Sequence, residues 1–247
     1  MMDAVSSRTG TVWTGIAAAV LAGVLASCAH QPPAPIPQNT PPLPGAPVPP
    51  IDVDSPGRTA GRLADWASGI SDATGISATA LEAYGHAAAV MAQSRPDCGI
   101  AWTTVAGIGG VESRHGTHRG AHLAADGTVT PPIRGIPLDG GPGVAEIPDT
   151  DGGAMDGDPV HDRAMGPMQF IPETWRRWGV DANGDGVADP DNLDDAALTA
   201  ARYLCARGGD LTGEDGWRRA LMAYNLSGRY LADVRDRANR YAVESVP

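Results

Sequence analysis

The sequence contains no lysine, so all 18 basic side chains are arginines. They are outnumbered by 29 acidic residues, and the formal net charge of the 247-residue chain is −11. Proteins that bind nucleic acid need basic patches to contact the phosphates, so this charge balance argues against a nucleic-acid partner. An acidic balance is typical of a soluble, secreted or cation-binding protein.

Residues 11–27 lack any charged side chain, and Arg8 precedes them. The run is short for a transmembrane helix and ends in small residues, which is the pattern of a signal peptide. The residues LASC, 25–28, resemble the lipobox of bacterial lipoproteins, where the signal is cut before a cysteine that carries diacylglycerol. We therefore expect a signal peptide over 1–27 and a lipid anchor at Cys28. The protein would then lie on the outer face of the cytoplasmic membrane, facing the cell wall. An ordinary signal peptide or a short anchor is the alternative.

A proline-rich stretch follows, with mostly proline and small residues over 31–57. Such segments stay extended at roughly 3.1 Å per residue and bury nothing. The sequence therefore predicts a stiff tether over 28–57 and a folded domain over 58–247.

Cysteine is scarce, with three in the chain. Neither Cys98 nor Cys205 has a histidine at a spacing typical of a catalytic thiol. If Cys28 is lipidated, an even pair remains, and export permits that pair to oxidise. We expect a Cys98–Cys205 disulfide, which would close a loop of roughly 108 residues and stabilise the fold by about 4–5 kcal/mol. Two buried thiols are the alternative.

Strand-like alternation of apolar and polar residues is not evident, whereas helical periodicity dominates from residue 60 onward. The expected fold is therefore mainly α. The exception is residues 117–163, which are rich in glycine, proline and aspartate. A loop this long is usually functional or mobile, so it could cover a cleft or carry a short hairpin.

Glu112 ends a helix predicted over about 99–113. It follows Ala101, Val105 and Ile108 by eleven, seven and four residues, which places all four on one helix face. Partial burial there would raise the pKa of the carboxyl group, as suits a general acid at neutral pH. The alternative is a helix-end glutamate that reaches water or pairs with an arginine.

Two later segments carry polar side chains at defined places. In GPMQFIPETW, residues 166–175, Gln169 offers a donor and an acceptor within a rigid turn. Tyr224 and Asn225 end an amphipathic helix. Taken alone, these residues are a turn, a core tyrosine and a helix C-cap.

In order along the chain, VAGIGGVESRHG, GPMQFIPETW and AYN resemble the lytic transglycosylases of the membrane-bound murein transglycosylase B type. The resemblance covers about residues 96–245 and implies a lysozyme-like catalytic domain. It implies that Glu112 is the single catalytic acid and base. The residues that it places at the substrate are Ser113, Gln169, Tyr224 and Asn225.

The resemblance also implies the reaction, which is cleavage of the β-1,4 bond between N-acetylmuramic acid and N-acetylglucosamine in peptidoglycan glycan strands. Glu112 would protonate the glycosidic oxygen and then accept the proton of the C6 hydroxyl, which closes onto C1 to leave a 1,6-anhydro end. Ordinary glycosidases use two carboxylates instead. Two alternatives stay open: a hydrolytic muramidase with Asp162 or Glu173 as the second carboxylate, and a non-catalytic cell-wall-binding lipoprotein.

Residues 181–196, DANGDGVADPDNLDDA, begin like an EF-hand loop, with Gly186 at the sharp turn. The twelfth position holds Asn192 instead of glutamate, so a longer loop must supply the closing acid. The resembled family has a calcium loop of this kind, and we expect a structural Ca²⁺ here. The expected ligands are Asp181, Asn183, Asp185, the Val187 carbonyl and Asp195. Asp189 and Asp194 are rivals of Asp195, and an acidic turn without a cation is the alternative.

Three histidines, His115, His118 and His122, raise the possibility of a zinc peptidase or amidase. Gly116 and Gly120 interrupt any helix through them, and the sequence has no HExxH motif. We therefore expect loop histidines near a polar cleft, and no organic cofactor.

Overall fold

The computed structural model describes residues 37–246. The predicted signal peptide over 1–27, the lipidation site Cys28 and the first part of the tether lie outside the described residues. Within the described part, the α-helices are α1 Ala64–Thr74, α2 Ala78–Ser94, α3 Trp102–Ser113, α4 Pro172–Trp178, α5 Leu193–Gly208, α6 Glu214–Tyr224 and α7 Gly228–Glu244. The prediction of a mainly α fold is confirmed. No helix in residues 37–246 is long and apolar enough to cross a bilayer.

The helical core is built around α2 and α3. α2 packs against α1, α3 and α5, while α3 packs along α7, and α5 packs along α6. Residues 102–110 of α3 are all buried. Gly107 allows the close approach of α7, because a methyl group there would lie 2.8 Å from the Val234 carbonyl oxygen. The helix that ends in Glu112 therefore lies in the interior of the domain.

Side-chain caps set the start of three of these helices. Ser77 accepts the N–H of Ala80 at the start of α2, and Asn192 does the same for Asp194 in α5. Ser227 caps α7 by accepting the N–H of Tyr230 at 3.3 Å. Such caps satisfy N–H groups that have no partner within the helix. The cap at Ser227 fixes the first turn of α7.

The predicted disulfide is present, because Cys98 is bonded to Cys205. Cys98 lies just before α3, and Cys205 lies in α5. The bond therefore links the start of the α3 segment to the core helix α5.

The predicted long loop has secondary structure of its own. Short strands pair as two antiparallel two-stranded sheets, β1 His122–Leu123 with β2 Val129–Thr130, and β3 Arg134–Pro137 with β4 Arg163–Met165. Bridges between Asp139 and Glu146 and between Pro148 and His161 continue the second pairing outward. The expectation of a short hairpin in 117–163 is confirmed, and the paired residues 134–163 form an arm that is irregular between the pairings.

The proline-rich segment contacts the helical domain. Ala46 and Val48 pack against the core, and the backbone of Leu43 and Ala46 is hydrogen-bonded to side chains of the domain. The expectation that the tether buries nothing is therefore wrong for residues 39–48. An extended proline-rich chain leaves its backbone carbonyls without partners, and here buried side chains of the domain donate to them.

Candidate active site around Glu112

Glu112 lies in the last turn of α3, where the backbone turns sharply. The two residues after the end of the helix, Arg114 and His115, both have left-handed conformations, with φ of 53° and 59°. The Glu112 carboxylate accepts a hydrogen bond of 2.6 Å from the Tyr230 hydroxyl of α7. Burial raises the pKa of Glu112 to about 7, although the Tyr230 hydrogen bond acts in the opposite direction. A group with this pKa exists in both protonation states near neutral pH.

Pairing of Glu112 with an arginine, one alternative from the sequence, is not what the structure shows. Across residues 37–246, no basic nitrogen lies within 4.0 Å of its carboxylate. Among the described residues, the one side chain hydrogen-bonded to it is Tyr230, a neutral donor. A carboxyl group without a cation partner keeps its raised pKa.

Aromatic rings form one side of the site. Tyr230 stacks on Tyr224 with a centroid distance of 6.3 Å and an interplanar angle of 9°. Tyr224 in turn contacts the rings of Phe170 and Tyr203 edge-on, at 5.6 and 5.9 Å. Burial raises the pKa of the Tyr224 hydroxyl well above its usual value, and the charge of Glu112 adds to the rise. Burial also raises the pKa of the Tyr230 hydroxyl well above its usual value, so Tyr224 and Tyr230 are neutral hydrogen-bond donors.

The turn that carries Gln169 is held against this site by two hydroxyl groups. Ser113 donates to the Pro167 carbonyl oxygen at 2.7 Å, and Tyr224 donates to the Met168 carbonyl oxygen at 2.7 Å. The side-chain Nε2 of Gln169 donates to the Gly166 carbonyl oxygen at 2.9 Å, and Gln169 has a positive φ of 52°. The GPMQF turn is thus attached to the ends of α3 and α6.

Three of the five predicted site residues meet at this turn. Ser113 and Tyr224 are hydrogen-bonded to the turn that carries Gln169, so their hydroxyls already serve internal hydrogen bonds. Glu112 directly precedes Ser113 in the chain, and its own hydrogen bond is to Tyr230. Asn225 is the exposed C-cap of α6, and its side-chain oxygen accepts the N–H of Ser227. It matches the helix-cap alternative of the sequence and adjoins Tyr224 in the chain.

A cavity of about 320 Å³ opens beside Gln169 and Tyr224. Its lining is neutral and includes the aromatic rings of Phe170 and Tyr203. Ile147 contributes from the long arm, so the arm forms part of the cleft wall. Polar atoms, including those of Gln169 and Tyr224, form as much of this wall as apolar atoms do, and Glu112 is not among the lining residues.

His115 is half-buried and lies between two tyrosines. Its Nδ1 lies 3.0 Å from the Tyr84 hydroxyl and its Nε2 lies 3.0 Å from the Tyr241 hydroxyl. Burial lowers its pKa to about 4, and nearby arginines add to the effect. His118 and His122 lie in the following turn and in β1. The three histidines do not form a cluster of ligand atoms within 4.8 Å in the described chain.

The acidic loop after α4 folds around the side chain of Asp195. Its Oδ1 accepts the N–H of Ala182 at 2.7 Å, and its Oδ2 accepts the N–H of Asp189 at 2.9 Å. Asp195 has no exposed surface, and burial raises its pKa to about 6. In the part of the chain that the structure describes, the carboxylates of Asp181, Asp185 and Asp195 do not converge within 4.8 Å of one another.

The two rival acids of this loop are engaged elsewhere. Arg58 contacts both carboxylate oxygens of Asp194, at 2.6 and 3.1 Å. The Asp189 carboxylate accepts the N–H of Asp191 at 2.9 Å. Asn192, at the twelfth loop position, is the N-cap of α5, which explains why a glutamate does not stand there. Asp195 is therefore the acid that faces the loop interior.

A further group of carboxylates lies in the long arm. Ligand oxygens of Asp149, Asp151 and Asp162 lie within 4.8 Å of one another. Asp162 has no exposed surface and accepts hydrogen bonds of 2.9 Å from the N–H and from the hydroxyl of Thr150. Glu173, the other candidate second carboxylate, is exposed in the first turn of α4. Asp162 is thus enclosed by its own segment, which disfavours a role in activating a water.

Tyr230 is the site residue that the sequence analysis missed. It lies 118 residues from Glu112 in the chain, and it comes close only because α7 packs along α3. The available signal was its position in the first turn of the helix that follows the AYN segment. A tyrosine there has no feature that separates it from a core residue.

Comparison with known families matches residues 161–238 to the transglycosylase SLT domain. The matched segment contains Gln169, Tyr224 and Tyr230, while Glu112 on α3 lies before it. No curated protein and no solved structure gave a significant match. The domain match supports a lytic transglycosylase family, which implies an enzyme that acts on the peptidoglycan of the cell wall, outside the cytoplasm.

Proposed function

We propose that this protein is a peptidoglycan lytic transglycosylase of the membrane-bound murein transglycosylase B type, with Glu112 as its single acid and base. The observation that carries the proposal is the state of Glu112, which is largely buried, has a pKa of about 7 and has a neutral hydrogen-bond donor as its partner. Tyr230 in turn stacks on Tyr224, and Tyr224 and Gln169 line a cleft on the other side of that ring. The transglycosylase domain match is independent support.

In the first step, the protonated Glu112 gives its proton to the oxygen of the β-1,4 bond between N-acetylmuramic acid and N-acetylglucosamine. The bond from that oxygen to C1 of the muramic sugar breaks, and the acetamido oxygen of the same sugar stabilises C1. Tyr230 donates to the carboxylate that this step leaves behind. A hydrogen bond to the charged form lowers the energy of the proton transfer.

In the second step, the Glu112 carboxylate takes the proton of the C6 hydroxyl of the muramic sugar. The C6 oxygen forms a bond to C1 and displaces the acetamido oxygen, so the product has a 1,6-anhydro end. Glu112 regains its proton, and no water is consumed. One acid is sufficient because the substrate supplies the second nucleophile, whereas hydrolytic glycosidases need two carboxylates.

The products of digestion test this proposal. Purified peptidoglycan is digested and the fragments are analysed by mass spectrometry, where anhydro ends are lighter by one water than hydrolysed ends. We expect anhydro ends from the wild-type protein, none from Glu112→Gln, and unchanged products from the matched control Glu173→Gln. Hydrolysed ends would favour the muramidase alternative. Absence of cleavage by folded wild-type protein would favour a non-catalytic wall-binding protein.

A structural Ca²⁺ in the loop at 181–189 is part of the proposal. Every donor expected there is an oxygen, which is the ligand type that Ca²⁺ prefers. Asp181 would hold the ion with Asn183, Asp185, the Val187 carbonyl and Asp195. Because Asp195 lies in the first turn of α5 and the loop follows α4, the ion would fix the connection between the two helices. It has no part in the proton transfers.

Thermal unfolding tests the Ca²⁺ proposal. At a hundredfold excess over the dissociation constant, a bound ion stabilises the fold by about 2.7 kcal/mol. For a domain of this size, that raises the unfolding temperature by roughly 5–10 °C. We expect this rise with Ca²⁺ for the wild-type protein and for the control Asp189→Asn, and its loss in Asp195→Asn. A wild-type unfolding temperature that is the same in Ca²⁺ and in chelator would contradict the proposal.

We also propose that Cys28 carries the lipid anchor. About 11 residues separate Cys28 from Asn39, where contacts with the domain begin. Even fully extended, they span at most about 40 Å, so the domain would work close to the membrane. Metabolic labelling with a radioactive fatty acid should label the wild-type protein and leave Cys28→Ala unlabelled. Equal labelling of the two would contradict an anchor at this residue.

A further inference from the structure

The segment 39–46, named the strap below, is hydrogen-bonded to the last part of α7. The Asn239 side chain donates to the Asn39 carbonyl oxygen at 2.9 Å and accepts the N–H of Leu43 at 3.1 Å. The Ser245 hydroxyl, at the C-terminal cap of α7, accepts the N–H of Ala46 at 2.9 Å. The strap is thus attached to α7 at three backbone positions.

The same strap is hydrogen-bonded to the first turn of α3. The Thr103 hydroxyl donates to the Leu43 carbonyl oxygen at 2.8 Å. The Trp102 indole N–H donates to the Ala46 carbonyl oxygen at 3.0 Å. Leu43 and Ala46 therefore each connect the two helices. The N–H of each residue binds a side chain of α7 or its cap, and the carbonyl oxygen of each accepts from a side chain of α3.

The side chains that bind the strap are buried, so the loss of these hydrogen bonds would cost more free energy than the loss of exposed ones. Thr103 and Asn239 have no exposed surface, Trp102 is 2 % exposed and Ser245 is 6 % exposed. A buried polar group that loses its partner carries its full desolvation cost, of about 1–3 kcal/mol for each group. The strap therefore satisfies the buried polar groups at the interface between α3 and α7, which is called the seam below.

The two helices also carry the Glu112–Tyr230 pair at their opposite ends. Thr103 and Glu112 are nine residues apart in α3, a distance of about 14 Å along the helix. Between them, Gly107 brings α3 against the backbone of Val234 in α7. A change in the distance between α3 and α7 near the strap would therefore also change the distance between them near Glu112, because both helices are rigid.

We propose that the strap is a positioning element, which clamps α3 to α7 and thereby keeps Glu112 within hydrogen-bond distance of Tyr230. Its consequence for catalysis rests on the proposed function. The mechanical part, that the strap holds the seam closed, does not depend on that function. A proline-rich segment suits this role because it loses little conformational freedom on docking.

Two glycines of the N-terminal segment provide a matched pair of variants. Gly45 and Gly57 both have positive φ values, 71° and 80°, so an alanine strains the backbone similarly at each. A Cβ atom at Gly45 would lie 2.9 Å from the Ser245 hydroxyl oxygen and 3.0 Å from atoms of Thr103 and Trp102. A Cβ atom at Gly57 would meet nothing within 4 Å. Gly45→Ala should therefore displace the strap from the two helices, whereas Gly57→Ala tests the effect of backbone strain without such a displacement.

The experiment is hydrogen exchange by mass spectrometry on full-length variants, with turnover of purified peptidoglycan measured beside it. We expect Gly45→Ala to speed amide exchange about tenfold in peptides that cover 108–116 and 230–236, with Gly57→Ala like the wild-type protein. In the same variant kcat should fall by about tenfold with KM little changed, since a looser acid affects the chemical step. Wild-type exchange in these peptides of Gly45→Ala would overturn the proposal.

A milder pair of variants covers the case in which Gly45→Ala does not fold. Thr103→Val removes the hydroxyl that donates to Leu43 and keeps the side-chain shape, while Thr103→Ser keeps the hydroxyl. We expect faster exchange at 230–236 in the valine variant and recovery in the serine variant. Equal exchange in the two would overturn the proposal. If Glu112→Gln still cleaves glycan, the proposed function is wrong. The hydrogen-exchange results would still test whether the strap holds α3 against α7.

Discussion

The hydrogen bond from Tyr230 to Glu112 makes a quantitative prediction about pH dependence. The bond is 2.6 Å long and its acceptor is a carboxylate. Hydrogen bonds to charged groups contribute about 1.5–3 kcal/mol. One pKa unit corresponds to about 1.4 kcal/mol, so removal of the hydroxyl in Tyr230→Phe should raise the pKa of Glu112 by about 1–2 units. The starting value is about 7.

The assay is the pH dependence of kcat/KM for the digestion of purified peptidoglycan. Glu112 must be protonated to begin the reaction, so activity falls as pH rises through its pKa. We expect the alkaline limb of Tyr230→Phe to lie about 1–2 units above that of the wild-type protein. A ¹³C NMR titration of the Glu112 carboxyl group should show the same shift without relying on turnover.

Tyr203→Phe is the matched control. Tyr203 belongs to the same aromatic cluster, but its hydroxyl donates to the Ala223 carbonyl oxygen at 2.8 Å. Its alkaline limb should therefore coincide with that of the wild-type protein. The reasoning is refuted if Tyr230→Phe also coincides with the wild-type limb, or if both phenylalanine variants shift equally.

Three further predictions concern stability and the turn. The pKa of Glu112 is about 7 in the folded protein against 4.5 for the free side chain, so the favourable contribution that this group makes to stability below pH 4.5 is lost as pH rises through 7. Above pH 7, Glu112→Gln should therefore have a free energy of unfolding up to about 3 kcal/mol higher than that of the wild-type protein, as measured by denaturant unfolding. Reduction of Cys98–Cys205, which closes a loop with a sequence separation of 107, should lower the free energy of unfolding by about 4–5 kcal/mol, and an unchanged denaturation midpoint would contradict this. Ser113→Ala removes the bond to the Pro167 carbonyl oxygen and should lower kcat/KM by roughly tenfold, because it loosens the turn that carries the glutamine, whereas unchanged kinetics would show that the bond is dispensable.

The helix that ends in Glu112 was predictable because its signal is local. Apolar residues at helical spacing predict the helix and place the acid among them, although the structure buries residues 102–110 on every side and not on one face alone. The structure begins the helix at Trp102 and ends it at Ser113, close to the predicted span of about 99–113. The burial of Glu112 follows from that pattern, whereas the identity of its partner does not.

The partner, Tyr230, could not be predicted, since its contact with Glu112 depends on the packing of α7 against α3. Periodicity tells which face of a helix is buried, but it does not tell which distant helix covers that face. The same limit applies to Ser113. The resemblance places it at the substrate, whereas the structure shows a buried hydroxyl that holds the Pro167 carbonyl.

The proline-rich segment shows a different limit. Composition correctly indicates a backbone without helix or strand over the described residues 37–57, but it does not reveal where the backbone carbonyls find donors. The donors are buried side chains of Thr103 and Trp102, about 60 residues later in the chain, and of Asn239. Each of them has an ordinary interpretation as a core or helix residue, so the docking of the strap has no signal in the local sequence.

The account depends most on the claim that Glu112 acts alone with the help of the substrate's own hydroxyl. The most direct measurement is mass spectrometry of the products from purified peptidoglycan digested in ¹⁸O-labelled water. The account predicts 1,6-anhydro ends that contain no label, and no products from Glu112→Gln. Labelled reducing ends, or cleavage that persists in Glu112→Gln, would contradict it.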